Sequence, residues 1–284
     1  GPGSVIFSAK ATNKTITSQR CEDIANGNCG LVFMSGTSMA APNIAGAAAL
    51  IGHYFNSGKW IDKIDLDGTT LRALLINSCK HPLNAKMPDV FWGHGAVDLS
   101  TIIPIDGDFG VQITPQWRKP ELTSNIKEDM KKPSVDENGH VAAKIDVKSN
   151  KVDLQITLSY LDVELGAESP IPLNHDLDFI VVSPEGTIYK GDHLAHNDTQ
   201  HTSTNEKIII AKEEIQAGTY TLHVYGNSFA DSYSINKQEF AVVASGDIDN
   251  QYLLFTNSTE SPCKDEDPNH KGMCRCNENE IGKL

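Results

Sequence analysis

Between residues 152 and 160 the chain alternates without a fault. Val152, Leu154, Ile156, Leu158 and Tyr160 fall on one side, and Asp153, Gln155, Thr157 and Ser159 fall on the other. A period of two is that of a β-strand with one apolar and one polar face. Similar short runs occur at 141–147, 177–183, 186–190, 207–211, 219–225, 240–244 and 252–255, and Pro184-Glu185-Gly186 supplies a tight turn between two of them. About eight strands with no helical stretch between them predict an all-β sandwich or jelly roll.

The first third of the chain has a different rhythm. From 38 to 55 nearly every helical face is apolar or small (Met39, Ile44, Ala45, Ala47, Ala48, Leu50, Ile51, Tyr54), which predicts a helix buried on all sides. Pro42 falls near its first turn, where a missing N–H costs least. Residues 5–9 read as a strand. A second helix is expected after Asp67-Gly68, with Thr69 or Thr70 as its cap. Leu71, Leu74, Leu75 and Cys79 share one face of it, so Cys79 reads as a buried thiol. Residues 114–139 are rich in Pro, Lys and Glu without periodicity, as in a linker or long surface loop. The expected organisation is a scar of tag removal at 1–4 (GPGS), an α/β part at 5–113, the linker, an all-β domain at 140–256 and a cysteine-containing tail at 257–284 that opens a further module.

Composition narrows the function classes. The 284 residues carry a formal charge of −13, which argues against a nucleic-acid partner, and 39% are hydrophobic, enough for a real core. No run reaches the roughly eighteen apolar residues of a membrane span, so a membrane would be reached only through sequence beyond this chain. Cys21 and Cys29 bracket a polar loop like a disulfide-tied insertion, and Cys263, Cys274 and Cys276 crowd the tail. Three Asn-x-Ser/Thr acceptors, at Asn13, Asn197 and Asn257, point with the cysteines to a secreted or extracellular-surface glycoprotein.

The chemistry sits at residues 36–42, GTSMAAP, between the β-type run LVFMS and the long small-residue helix. A hydroxyl at a helix N-terminus gains from the positive end of the dipole and from unpaired N–H groups able to hold an oxyanion. Two other readings remain at this point. Ser38 could be a plain N-cap on a glycine turn, or the nucleophile of an α/β-hydrolase elbow, although Ala40 stands where that elbow has its second glycine.

The seven residues GTSMAAP resemble the active-site serine segment of the subtilisin-like serine proteases. FWGHGAVDLS resembles the segment that closes their catalytic domain, and PGSVIFSA imitates a stretch that precedes their serine. The resemblance implies a parallel sheet with a central helix, Ser38 as nucleophile, and protein or peptide substrates cleaved through an acyl-enzyme. It also implies an Asp, a His and an oxyanion Asn upstream. No histidine precedes Ser38 here, so the chain is expected to be the C-terminal part of the catalytic domain, inactive alone and completed by a missing N-terminal segment, with a prodomain as a further partner. His94 has the wrong order for the triad, and Asn43 stands where the family commonly has a histidine outside the triad. A partial sheet should also leave the apolar helix short of cover, with exposed apolar surface.

The stretches ITLSYLD, NHDLDFIVVSPEGTIYKGD and AGTYTLHVYG resemble the C-terminal β-barrel or jelly-roll domain of oxidatively stable alkaline serine proteases. No cofactor is required for the implied chemistry. Asn174, Asp176 and Asp178 lie on alternate positions and could gather oxygens around a structural calcium, with Asp192, Asn197 and Asp198 nearby in sequence. The loose cluster His193, His196 and His201 lacks an element to fix a metal geometry. The competing reading is a non-catalytic module that binds protein or glycan and retains a relic protease segment.

Overall fold

The computed structural model describes residues 1–9, 31–80, 88, 91–104, 107, 109–116, 131–164, 173–191, 203–229, 236–261, 266–267 and 270–274, the side chains at 31–32, 266–267 and 270–274 excepted. In chain order the elements are β1 (Ile6–Ala9), β2 (Leu31–Met34), α1 (Thr37–Asn56), α2 (Gly68–Asn77), β3 (Cys79–Lys80), β4 (Ala96–Val97) and β5 (Gly110–Ile113). Then follow β6 (Ser134–Asp136), β7 (His140–Val147), β8 (Leu154–Tyr160), β9 (His175–Val182), β10 (Ile188–Lys190), β11 (Asn205–Ile210), β12 (Gly218–Phe229), β13 (Lys237–Gly246), β14 (Gln251–Tyr252), β15 (Thr256–Asn257), β16 (Glu266–Asp267) and β17 (His270–Cys274). The chain divides into two compact units, Gly1–Leu50 and Ile51–Leu284, and α1 runs across the division.

In the first unit β1 and β2 pair antiparallel from Ile6↔Met34 to Ala9↔Leu31, with the Phe7 and Phe33 rings 4.6 Å apart. The parallel sheet expected around the helix is therefore not what these strands build: the chain folds back on itself as an antiparallel pair. The helix itself departs from the all-round burial that its composition suggested. Leu50 is 58% exposed, and along α1 burial begins at Ile51. Small residues satisfy helix propensity without needing cover, so composition alone could not say whether cover is present.

The second unit has two apolar clusters. In the smaller, Ile51, Tyr54 and Phe55 from the end of α1 pack with Trp60, Ile64, Ala73, Leu74, Ile102, Val111, Ile113 and Val243, and the Trp60 indole donates to the Val111 carbonyl at 2.8 Å. The larger lies between two sheets, of order β10-β9-β12-β7-β15 and β11-β8-β13-β5-β14, with β6 also on β13. Ile145, Phe179 and Leu222 from one sheet share it with Ile156, Leu158 and Phe240 from the other. Every neighbouring pair in these sheets is antiparallel except β14 on β5.

Several boundaries move. The 114–139 stretch is not a bare linker: Thr114 and Gln116 are buried and β6 pairs with β13. β5 belongs to the six-stranded sheet through Val243↔Ile113 and its neighbours, although its residues lie in the part expected to be α/β. Asp67, not a threonine, caps α2. Its backbone is extended (φ −74, ψ 162), and its carboxylate accepts from the Thr70 amide at 2.8 Å and pairs with Lys132 at 2.9 Å.

The polar face of β8 is not wet. All seven residues of β8 are buried, because α2 lies across Gln155, Thr157 and Ser159 and the matching side of β13. Arg72 Nε donates to Ser159 Oγ at 2.9 Å, and the guanidinium also reaches the Tyr160 carbonyl. Asn77, at the end of α2, donates to Ser245 Oγ at 2.9 Å and accepts from Thr157 Oγ1 at 3.0 Å. Lys207 of β11, only 1% exposed, places its ammonium under the helix C-terminus and donates to the carbonyls of Ile76 (2.9 Å), Asn77 (3.0 Å) and Cys79 (2.6 Å). Carbonyls at a helix end have no intrahelical partner, and a cation there also meets the negative end of the dipole.

Burial pulls the Lys207 pKa from 10.5 to about 8. The folded state thus releases this proton near pH 8 and the unfolded chain near 10.5, so between those values the unfolded state binds more protons and stability rises with pH. Lys207→Met removes a donor from three carbonyls and should lower the unfolding free energy by roughly 1–3 kcal/mol at pH 7. It should also flatten the rise between pH 8 and 10. Denaturant midpoints across that range check both, and an unchanged midpoint with an unchanged slope contradicts the assignment.

Candidate active site

Ser38 is the second residue of α1 and is exposed. The helix begins on Gly36, whose carbonyl accepts from the amides of Met39 (3.0 Å) and Ala40 (3.2 Å). The Thr37 and Ser38 amides precede the first intrahelical bond and have no acceptor inside the helix. Gly36 adopts φ +151, a backbone state that side chains oppose, so the turn into the helix depends on glycine. No acidic residue lies in the first turn to offset the positive dipole end.

The residues before β1 hold this turn. Gly36 N donates to Gly3 O at 2.8 Å, Val5 N donates to Ser35 Oγ at 2.8 Å, and Asn43 Nδ2 donates to Pro2 O at 3.1 Å and Met39 O at 2.9 Å. A Cβ on Gly3 would stand 2.7 Å from Gly36 O, which excludes any other residue without a shift. Residues 1–4, expected to be a scar, are thus hydrogen-bonded against the serine turn. Pro42 lies inside the helix rather than among its free first positions. It has no N–H for the carbonyl of Ser38, four residues earlier, which loosens the ladder beside the hydroxyl.

The arrangement offers a hydroxyl and free amide donors at a helix start, and no base. Gly1–Leu50 contains no histidine, and its two acids, Glu22 and Asp23, lie outside the described residues. His94, in the second unit, is half-buried on the Gly93–Gly95 turn. Its Nδ1 is buried without a hydrogen-bond partner among the described residues. Burial, with the charge of Lys207 second, lowers its pKa. Cys79 is a free, buried thiol donating to Leu75 O at 3.2 Å, and burial pushes its pKa up, away from nucleophilic chemistry.

The calcium candidates are partly spent on other bonds. The Asp162 carboxylate accepts from the amides of Val163 (2.8 Å), Asn174 (2.7 Å) and His175 (3.0 Å), while Asn174 Nδ2 donates to Val163 O (3.2 Å) and Glu164 O (2.8 Å). Asp178 accepts from Asn227, and Asp176 is half-buried opposite Ser228. Among the described residues no three His, Cys, Asp or Glu side chains converge as a metal set. Asp192, Asn197, Asp198, the three clustered histidines, Asn13, Cys21, Cys29, Cys263 and Cys276 lie outside the described residues, as does the Cys274 side chain.

Residues 2–95 match the model of the Subtilase family. That match begins at Pro2, so it takes in the Pro-Gly pair as well as the serine turn and the WGHG segment. A "Serine protease/ABC transporter B family protein tagA" of Dictyostelium discoideum is 25% identical over 253 residues, covering 82% of this chain. The chain spans 14% of that protein's length. The likeness runs beyond the family match into the β-rich part, and together the two comparisons support a relationship to the subtilases and a serine-protease origin. Among the described residues no helix is long and apolar enough to cross a membrane.

With no imidazole in its unit, Ser38 should not be activated in this chain alone. A fluorophosphonate probe should label the 284-residue protein no faster than a Ser38→Ala control. Efficient labelling at Ser38 would show that a base is already in place.

Proposed function

We propose that this chain is part of a subtilisin-like serine endopeptidase in which Ser38 attacks the scissile carbonyl and forms an acyl-enzyme. The observation that carries this is the exposed Ser38 hydroxyl at the start of α1, with unpaired amides beside it, inside the stretch that matches the family. The general base, the acid that orients it and the side chain completing the oxyanion site come from outside these 284 residues. The imidazole takes the hydroxyl proton as the oxygen bonds to carbon and returns it to the leaving amine. Water then repeats the sequence on the ester.

The β-rich part, read as the jelly-roll domain of the family's C-terminal branch, supports α2 and presents a surface to protein substrates. No cofactor enters the chemistry. A structural calcium drawing on Asn174, Asp176 and Asp178 would brace the start of strand β9. The cysteines and glycosylation acceptors support a reading of the protein as secreted or exposed at the extracellular surface.

In the full-length protein, Ser38→Ala should lower kcat/KM for a peptide substrate by roughly 10⁴–10⁶-fold while leaving the folded state intact by circular dichroism. Retention of activity would favour the reading as a binding module.

A further inference from the structure

We propose that Asn257 carries an N-linked oligosaccharide whose first sugar rests in the polar cleft beside β15. The proposal rests on the secretory route and not on the proteolytic reading. Asn257-Ser258-Thr259 is the acceptor sequence with threonine at the third position, and Asn257 is exposed. Among the described residues its side chain makes no hydrogen bond, and Thr259 makes none either.

Asn257 itself borders a cleft at the sheet edge. Among the described residues β15 is the outermost strand of the five-stranded sheet and pairs with β7 alone, through Thr256↔Ala142 and Asn257↔Val141. The Ser258 amide extends this contact by donating to His140 O at 2.9 Å. A short edge strand leaves a row of backbone groups without a ladder partner, and a bulky polar group there blocks pairing with another chain. Alongside it opens a cleft of about 420 Å³ lined by Asp136, Asn138, His140, Tyr225, Ser258 and Thr259, among others. Its polar groups suit the hydroxyl and acetamido groups of an N-acetylhexosamine. The stacked rings of His140 and Tyr225, 4.1 Å apart, give its floor a fixed wall.

The chemistry needs a lipid-diphosphate-linked oligosaccharide and the host transferase. Asn257 Nδ2 bonds to the anomeric carbon, the bond from that carbon to the diphosphate oxygen breaks, the lipid diphosphate leaves with the electron pair, and one amide proton is lost. The transfer precedes folding, so the strand position of Asn257 does not obstruct it.

The test is to send the full 284-residue chain through a eukaryotic secretory pathway behind a cleavable signal. Glycans are then released enzymatically in heavy-oxygen water, and the peptide containing Asn257 is read by mass spectrometry. Heavy-oxygen aspartate at 257 is expected, lost in Thr259→Ala and kept in Thr259→Ser. An unmodified Asn257 in the secreted protein overturns the proposal, whether or not Asn13 and Asn197 are occupied. Hydrogen exchange before and after glycan release addresses the seat. Faster exchange at residues 138–141 after release is expected, and unchanged exchange there overturns the placement of the sugar in the cleft. Neither readout depends on whether Ser38 is catalytic.

Discussion

A single ammonium group ties helix α2 to the β-sheet beneath it. Lys207 reaches from β11 to three carbonyls at and just past the end of α2, where the helix has run out of amides four residues on to pair with them and only Ile76 O also receives the Ser78 amide. Removing a cation from water is costly, and the fall of its pKa to about 8 records that cost. The position is tenable because the acceptors are fixed, and because Asn77 and Arg72 pair with Ser245, Thr157 and Ser159 beside it, although Gln155 Oε1 and Thr70 Oγ1 find no partner among the described residues. A half-satisfied seam would be worse than an apolar one, so these contacts stand or fall together.

The seam explains why the composition shift near residue 114 is not a structural boundary. β5 enters the six-stranded sheet, and the end of α1 buries Ile51 and Phe55 in the same cluster as Val243 of β13. The serine turn is built by other means. Its order comes from hydrogen bonds of Pro2, Gly3 and Val5 to Asn43, Gly36 and Ser35 and from the glycine at 36, and these suffice to present Ser38 without supplying a base.

Much of this was legible in the sequence. The alternation at 152–160 gave β8, and the small residues after Ser38 gave α1, because both periods follow directly from backbone geometry. What covers a polar strand face is not a local property, so nothing in Gln155, Thr157 and Ser159 announced that α2 lies over them. Lys207 was hidden for the same reason. A lysine opening the run of Ile208, Ile209 and Ile210 reads as a strand end, and only the three-dimensional pairing turns it into a helix cap. The cap of α2 was misplaced by two or three residues because Asp67 and the threonines that follow are all competent N-caps. The serine was the easiest feature to find, since GTSMAAP is one unbroken run, although the bonds that hold its turn come from Pro2, Gly3 and Val5, far off in sequence.

The central claim is that α2 and the sheet beneath it open as one cooperative unit. Native-state hydrogen exchange in increasing denaturant compares the amides of Leu74–Asn77 in α2 directly with those of Ile156–Leu158 in β8. The account predicts that both sets merge onto a single opening isotherm with the same free energy and denaturant dependence. If α2 instead opens at clearly lower free energy while β8 stays protected, the helix is only resting on the sheet and the account is wrong.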